Sequence, residues 1–210
     1  MVHNPLSADG RLPPLSGLVL SGGYSKRMGT DKAALEYAGE CQLQRAMALL
    51  GGLIDDVFVS LRPDQQDDPV RGGFRQIPDL HSQSGPGAGI LAAHAYNPQS
   101  AWLVIACDMP LVDAQLLRQL IQGRRPESGI TAFRVPGDKP EPLCAVYEPD
   151  VLAGFALNAE DGKVNGPRAM FDTAKVTLLE PDHAEALQGA NTPQEFEKLQ
   201  SLEAAQKIKN

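Results

Sequence analysis

The sequence predicts an α/β fold, a single Rossmann-like domain of three layers with a mostly parallel sheet and helices on both faces. Short segments rich in Val, Ile and Leu alternate along the chain with longer segments of helical spacing. That alternation is typical of a parallel sheet whose crossover helices cover it. The chain has 210 residues, of which 42% are hydrophobic, which is sufficient for one such core.

Each element is justified by its local pattern. The predicted strands are short and apolar: LSGLVLS (15–21), DVFVSL (56–61), AWLVIAC (101–107), GITAFRV (129–135), LCAVY (143–147) and KVTLLE (175–180). The predicted helices have helical spacing, several with a capping or proline start: 41–52, 87–96, 113–121, 148–157 and 192–208. Gly- and Pro-rich loops are expected at 62–73, 81–87 and 135–142. We expect residues 1–14 to be a flexible tail, 15–200 the domain, and 201–210 the end of the last helix.

Composition and charge exclude several classes of protein. A net charge of −7 argues against a nucleic-acid or anionic-membrane binder, because both ligands require a basic surface. No segment approaches the roughly 20 apolar residues of a membrane span, and the first residues lack an apolar leader region. The three cysteines are widely spaced and form no C-x-x-C, so neither a disulfide framework nor a zinc site is indicated. We expect a cytoplasmic protein.

The loop after the first predicted strand combines glycines with cations. Gly22 and Gly23 permit a close approach of main-chain N–H groups to an anion, and Lys26, Arg27 and Lys32 supply positive charge. The spacing fits neither a P-loop nor a dinucleotide fingerprint. The spacing alone leaves two readings open, a phosphate-binding loop and an ordinary surface loop with solvated cations.

A resemblance to a known family favours the first reading. LSGGYSKRMGTDK (20–32) resembles the signature L-[AS]-G-G-x-S-x-R-M-G-x-D-K of the MobA-like nucleotidyltransferases. Three further segments are similar to family motifs and follow in the family's order: SGPGAGILAA (84–93), ACDMPLV (106–112) and ANTPQEFEKL (190–199). The resemblance covers about residues 15–200. It implies a fold of the nucleotide-diphospho-sugar transferase type.

The resemblance also implies a reaction. GMP would pass from GTP to the phosphate of molybdopterin, the organic part of the molybdenum cofactor, with release of pyrophosphate. Arg27 and Lys32 would neutralise the triphosphate, and Asp108 would hold Mg²⁺, the expected cofactor. No general base is needed, because a phosphate monoester is already an anion. From its position alone, an aspartate after a strand would more often be a cap or turn residue. The neighbouring Cys107 is expected to be a small buried residue.

The implied GTP contacts lie in four of the motifs and loops. They are Leu20, Ser21, Gly22, Gly23, Lys32, Asp79, Gly85 and Asp108. The L-S-G-G start is more similar to the family's guanylyltransferases than to its cytidylyltransferases, which more often have L-A-A-G. Asp79 would lie near the guanine and ribose, although a solvated loop residue is an equally good interpretation of its position.

The chain departs from the family pattern at two positions. The family's N-x-N-T-P motif is here GANTP, so Gly189 replaces the first asparagine and Asn191 alone is carried over. Glu141 replaces the histidine of the family's H-P motif. Asn191 and Arg168 are the candidate contacts of the acceptor.

Several functions therefore remain open at this point. The first is a molybdenum cofactor guanylyltransferase, with GTP and molybdopterin as its ligands and a cofactor-delivery protein or a molybdoenzyme as a further partner. The second is transfer of CMP, or transfer of a nucleotidyl group to another phosphorylated acceptor, by the same chemistry. The third is a GTP-binding module without turnover. Nucleic acid and membranes are not expected partners.

Overall fold

The computed structural model describes residues 12–24, 28–37, 39–79, 85–158 and 166–209. The strands are Leu15–Leu20 (β1), Glu36–Tyr37 (β2), Glu40–Cys41 (β3), Val57–Leu61 (β4), Gln76–Pro78 (β5), Ala101–Ala106 (β6), Ile130–Val135 (β7), Lys139–Tyr147 (β8) and Val176–Leu179 (β9). The α-helices are Gln42–Gly51 (α1), Pro86–Tyr96 (α2), Ala114–Gly123 (α3), Pro149–Asn158 (α4), Arg168–Thr173 (α5) and Pro193–Lys209 (α6). Among the described helices, none is long and apolar enough to cross a bilayer.

Seven strands form one sheet in the order β5-β4-β1-β6-β8-β7-β9, and β2 and β3 form a separate hairpin. Strand β8 runs antiparallel to its neighbours β6 and β7, whereas the other pairings in the large sheet are parallel. The predicted mostly parallel sheet is therefore confirmed. Strands β1 and β6 pair along their full lengths at the centre of the sheet.

Helices cover both faces of the sheet, which gives the three layers. Side chains of β6 alternate between the two faces, as the pleat of a strand requires. Leu103 and Ile105 pack in a cluster with residues of α1, α3 and α6, and Trp102 and Val104 pack in a second cluster with residues of α2, α4 and α5. Every residue of β6 is buried, so this strand lies at the core of the domain.

The predicted loop at 135–142 is wrong in its second half. Strand β8 begins at Lys139, after a tight turn in which Gly137 and Asp138 have φ values of 87° and 61°. A loop was predicted here because the segment contains Pro140 and Pro142. Strand β6 pairs with β8 only from Cys144 to Tyr147, so Pro140 lies where β8 has no partner on that side and needs no donor there. Strand β5, helix α5 and the β2–β3 hairpin were not predicted, because each is too short to show a period.

Residues 1–11 of the predicted tail lie outside the described residues. Pro14 belongs to the described part, and its carbonyl accepts hydrogen bonds from Ala101 N (2.8 Å) and Ser100 Oγ (3.1 Å). These bonds hold the entry to β1 beside the start of β6. Strands β1, β4 and β6 run in the same direction, so the loops that follow them meet at one edge of the sheet. Ligands bind at this edge in open α/β sheets.

Candidate active site

A cleft of about 390 Å³ opens at the carboxyl ends of β1, β4 and β6. Its walls include most of the residues that the sequence predicted for the site: Leu20, Ser21, Gly22, Gly23, Lys32, Asp79, Gly85, Asp108 and Asn191. Further lining residues were not predicted: Tyr24, Asp31, Ser60, Arg62, Pro86, Ala106 and Leu143. Arg27, together with Lys26, lies outside the described residues. Cys107 is buried beside Asp108, and burial raises the pKa of its thiol.

The two glycines after β1 are held by an arginine that directly follows β4, the strand beside β1 in the sheet. Arg62 follows β4 and donates from Nη1 to the carbonyls of Gly22 (2.7 Å) and Gly23 (3.1 Å). The other side of the same guanidinium donates to Asp64, at 2.9 and 3.0 Å. The guanidinium carbon lies 4.1 Å from the centre of the Tyr24 ring, a cation–π distance. Arg62 therefore sets both the backbone of the glycines and the ring of Tyr24 at the mouth of the cleft.

Asp79 lies on the same wall of the cleft, where space is tight. Its Oδ1 accepts a hydrogen bond from Ser60 Oγ at 2.7 Å. A Cβ atom on Gly22 would lie 2.9 Å from Asp79 Oδ2, and one on Gly89 would lie 2.2 Å from Ser60 Oγ. Two glycines thus make room for one carboxyl group. Burial raises the pKa of Asp79 to about 6, against the opposing effects of the Ser60 hydrogen bond and the Arg62 charge.

Three distant parts of the chain meet at Lys32. Its Nζ donates to Asp108 Oδ2 at 2.8 Å and to Asn191 Oδ1 at 2.7 Å. Lys32 begins a short 3₁₀ helix, Lys32–Ala34, and Asp31 caps that helix by accepting a hydrogen bond from Ala33 N (3.0 Å). The side chains of Lys32 and Asp108 are 17% and 18% exposed, so the ion pair is open to a ligand on one side. A carboxylate and an amide oxygen therefore converge on a single cation.

The first departure from the family pattern has a structural reason. A Cβ atom on Gly189 would lie 3.2 Å from Asp108 Oδ1 and 3.6 Å from Asn191 Nδ2. The next residue, Ala190, donates its N–H to the carbonyl of Asp108 at 2.9 Å. The backbone before α6 therefore packs directly against Asp108, in the space where a side chain at position 189 would begin.

The second departure, Glu141, places another carboxyl group within electrostatic range of Asp108. Its side chain accepts a hydrogen bond from Leu143 N at 2.9 Å. Burial raises the pKa of Glu141, and the charge of Asp108 raises it further, while the Leu143 bond and the Arg168 charge lower it. Arg168 is exposed at the start of α5 and is not among the described residues that line the cleft. Its contact with an acceptor stays a prediction.

Residues 17–177 match the family model described as the MobA-like NTP transferase domain, which covers more than half of the chain. The chain belongs to this family. A molybdenum cofactor biosynthesis bifunctional protein from Synechocystis is 33% identical over 90% of this chain, and the chain spans about half (54%) of that relative. A probable molybdenum cofactor guanylyltransferase from Pelotomaculum thermopropionicum is 33% identical over 71% of this chain and 72% of its own length. The molybdenum cofactor guanylyltransferase of Pseudomonas fluorescens is 28% identical over 90% of this chain and 95% of its own length.

Solved structures share the fold of this MobA-like chain. Molybdopterin-guanine dinucleotide biosynthesis protein A from Archaeoglobus fulgidus superposes with a TM-score of 0.76 at 21% identity, covering 90% of this chain and 99% of its own. A CMP:2-keto-3-deoxy-manno-octonic acid synthetase solved with CTP has a TM-score of 0.71 at 14% identity, covering 92% and 99%. At these identities the likeness shows the fold alone. It is the nucleotidyltransferase fold that the sequence predicted.

Two site residues of this MobA-like chain, Ser60 and Arg62, were not predicted although their positions in the sequence indicate them. Ser60 and Arg62 stand at the carboxyl end of a predicted strand, the same position that marked Ser21 and Asp108. Applying that rule to the second strand would have found both. Arg71, which donates hydrogen bonds to Ser21 and Asp31, has no such signal, because it lies within a Gly-rich loop among aspartates.

Proposed function

We propose that this protein is a molybdenum cofactor guanylyltransferase, which transfers GMP from GTP to the phosphate of molybdopterin. The observation that carries the proposal is the convergence of Lys32, Asp108 and Asn191 in the cleft at the sheet edge. These residues come from three motifs that resemble the family's. Relatives similar along most of the chain are named for this activity.

The reaction makes one bond and breaks one. An oxygen of the acceptor phosphate attacks the α-phosphorus of GTP, and the bond from that phosphorus to the bridging oxygen breaks, so that pyrophosphate leaves with the electron pair. Both reactants are anions, so catalysis depends on alignment and on neutralising charge. Lys32 and Arg27 provide the positive charge in this proposal. The net charge of −7 makes such local cations necessary, since the protein as a whole repels the nucleotide.

The residues at the convergence point fit Mg²⁺. Asp108 and Asn191 supply two hard oxygen atoms directed at one position, which the Lys32 ammonium occupies in this structure. No group of three or more His, Cys, Asp or Glu ligands exists among the described residues. A metal with so few protein ligands would be one that phosphates and water complete, which is typical of Mg²⁺. When bound, it would supply further neutralisation of the triphosphate.

Asp79 is the residue we propose for recognition of guanine. Guanine presents two adjacent N–H donors, and a carboxylate can accept both. Cytosine lacks that pair of donors. The tight packing of Gly22 and Gly89 around Asp79 holds the carboxyl group at a fixed place on the wall of the cleft.

The location and the partners complete the proposal. All three cysteines of the chain lie in its described part and carry free thiols, which is consistent with the reducing cytoplasm. Molybdopterin is the proposed acceptor, and a protein that delivers it or takes up the product is the proposed protein partner.

The first experiment measures binding. Titration calorimetry with GTP, CTP, ATP and UTP in Mg²⁺ should give saturable binding of GTP alone. Lys32→Met should weaken GTP binding by about tenfold or more, the effect of one charged hydrogen bond. Lys198→Met, at an exposed site on α6, is the matched control and should bind as the parent does. Preference for CTP would instead assign the chain to the cytidylyltransferases.

A second experiment separates catalysis from binding alone. With GTP, Mg²⁺ and molybdopterin, the protein should release one pyrophosphate for each acceptor modified. Asp108→Asn should retain the fold and lose most of this turnover. GTP binding without any pyrophosphate release would identify a non-catalytic GTP-binding module.

A further inference from the structure

Arg71 is the most deeply buried charged residue among those that the structure describes. Its relative exposure is 0%. It lies in the turn between β4 and β5, and its backbone N–H donates to the carbonyl of Asp68 at 3.0 Å. Burying a guanidinium is costly, and a buried ion pair adds little net stability compared with apolar packing. Its position therefore calls for a role other than filling the core.

Arg71 holds one end of the loop that follows β1 and runs from Ser21 to Asp31, here called the signature loop. Its Nε donates to Ser21 Oγ at 3.0 Å, and its Nη2 donates to the carbonyl of Ser21 at 2.9 Å. Ser21 directly follows Leu20, the last residue of β1, and begins the loop. Its own N–H and hydroxyl both donate to the carbonyl of Ser60, at 2.9 and 3.0 Å, so the position is tied to β4 as well.

The other end of the loop is held by the same guanidinium. Nη1 donates to Asp31 Oδ2 at 2.7 Å, and Nη2 donates to Asp31 Oδ1 at 3.1 Å, which is a bidentate pair. Nη1 also donates to Asp68 in its own turn. Asp31 Oδ1 in turn accepts from Ala33 N and caps the 3₁₀ helix that begins at Lys32.

We propose that Arg71 is a positioning residue for the nucleotide site: by joining Ser21 to Asp31 it closes the signature loop and fixes Lys32. The chain is held at Ser21 and Asp31, so Lys32, directly after Asp31, has a defined place relative to Asp108. Asp31 takes part in this positioning in two ways: it accepts hydrogen bonds from Arg71, and it caps the 3₁₀ helix that begins at Lys32. This inference rests on the proposed function only in taking the loop as the part that binds a nucleotide.

The test compares two buried arginines. Arg71→Met removes the fork of donors at the loop. Arg124→Met is the matched control, because the Arg124 side chain is only 7% exposed, pairs in bidentate geometry with Glu148 at 2.6 and 2.7 Å, and donates to the carbonyl of Pro13, away from the cleft. Both variants should unfold at lower urea concentration than the parent. Only Arg71→Met should weaken GTP binding, by at least about tenfold, which corresponds to one charged hydrogen bond. Parental affinity in Arg71→Met would overturn the proposal.

Arg71→Lys separates positioning from stability. Lysine restores the charge beside Asp31 and Asp68, but it cannot make the bidentate pair and the two bonds to Ser21 together. We expect it to recover much of the resistance to urea and little of the GTP affinity. Recovery of both in proportion would mean that Arg71 acts only through stability, and would overturn the proposal.

Two further measurements keep the inference independent of the proposed function and of folding losses. The Ala33 amide, which donates to Asp31, should exchange with solvent faster in Arg71→Met than in the parent or Arg124→Met, with no nucleotide present; equal protection contradicts the proposal. If the parent binds CTP instead of GTP, the proposed function fails, and the affinity of Arg71→Met relative to the parent is then measured with CTP.

If Arg71→Met does not fold, Asp31→Asn takes its place, because asparagine keeps an oxygen that can cap the 3₁₀ helix. The same loss of nucleotide affinity is expected, and parental affinity would again overturn the proposal.

Discussion

Asp79 is a carboxyl group that ionises less readily in the folded protein than in the unfolded chain. Its pKa of about 6 lies above the ordinary 3.8, so the folded chain binds a proton more tightly than the unfolded chain between those values. Stability is therefore lost as the pH rises from about 3.8 to about 6, and the cost of the charge is fully present above that window. A ligand that needs the carboxylate offsets this cost by donating hydrogen bonds to it.

The pH dependence of GTP binding tests this assignment. Below pH 6 the free protein holds Asp79 protonated, so affinity for GTP should fall with decreasing pH, by up to about tenfold per unit. Calorimetry across pH 5–8 on the parent and Asp79→Asn provides the measurement. The terminal phosphate of GTP titrates near the same pH, but it does so equally with both proteins. A pH profile of the same shape in the two would rule out the carboxylate as the guanine contact.

Asp79→Asn should also reveal a conflict between stability and binding. The amide keeps an oxygen that accepts from Ser60 and removes the buried charge, so at pH 7.5 the variant should unfold at higher urea concentration than the parent while binding GTP more weakly. Urea titration followed by circular dichroism measures the first change. A variant less stable than the parent would show that the charge is not the cost that its burial implies.

Lys32 occupies the position at which Asp108 and Asn191 converge, so a divalent cation and this ammonium cannot both be there. We expect the parent to bind Mn²⁺ weakly without nucleotide and Lys32→Met to bind it more tightly, since the competing charge is gone. Electron paramagnetic resonance of free Mn²⁺ measures this directly, with Lys198→Met as the control. Equal Mn²⁺ affinity in all three proteins would place the metal elsewhere.

At the scale of elements, helix α2 is the one that most closely limits the site. Gly89 in its first turns approaches β1 and β4 so closely that an added Cβ would lie 2.2 Å from Ser60 Oγ, 3.0 Å from Leu20 Cδ2 and 3.1 Å from Asp79 Oδ1. The helix cannot hold any larger residue there without moving away from the sheet. The packing of α2 and the geometry of Asp79 thus both depend on the absence of a side chain at Gly89.

Gly89→Ala should therefore cost about 1–3 kcal/mol of unfolding free energy, the usual range for overpacking, and should weaken GTP binding as the Ser60–Asp79 bond is displaced. Gly154→Ala, in the exposed part of α4 where an added Cβ meets nothing within 4 Å, is the matched control. It should stabilise the protein by roughly 0.5–1 kcal/mol, because alanine favours a helix. Urea titrations of both variants and calorimetry with GTP give the result; a neutral Gly89→Ala would contradict the packing described.

The elements also show which parts of the fold a single sequence can reveal. Strand β6 was predicted from a short run of apolar residues, and helix α2 from a longer segment with helical spacing. Strand β5 has three residues, and its pairing with β4 depends on a neighbour that local pattern cannot indicate. The antiparallel direction of β8 is likewise set by the turn at Gly137 and Asp138, in a segment whose prolines argued for a loop.

Some residues of the site could likewise be predicted from the sequence, and others could not. Lys32 and Asp108 were found through motifs that resemble the family's, and the carboxyl-end rule explains why they meet. Arg71 was missed because its partners, Ser21 and Asp31, lie 50 and 40 positions away in the sequence. Such a residue is recognised only when the chain is folded, since nothing adjacent to it differs from an ordinary loop.

At the scale of the whole molecule, one sheet connects the signature loop to both core clusters, so we expect cooperative unfolding. Trp102 is the only tryptophan of the chain and is 0% exposed in β6, so its fluorescence reports the core. Its thermal transition should coincide with that of far-ultraviolet circular dichroism. GTP and Mg²⁺ at one hundred times the dissociation constant should add about 2.7 kcal/mol and raise the midpoint by roughly 5–10 °C. Transitions that separate would indicate that the site unfolds apart from the core.

The bond between Lys32 and Asn191 joins atoms 159 positions apart, which has a consequence for synthesis of the chain. On a ribosome the signature loop emerges long before Asn191 and α6. A nascent chain can form β1, β4 and β6 and still lack one of the two oxygens that face the Lys32 ammonium. The cleft is therefore completed only after Asn191 has emerged, and a shorter nascent chain lacks one wall of the site.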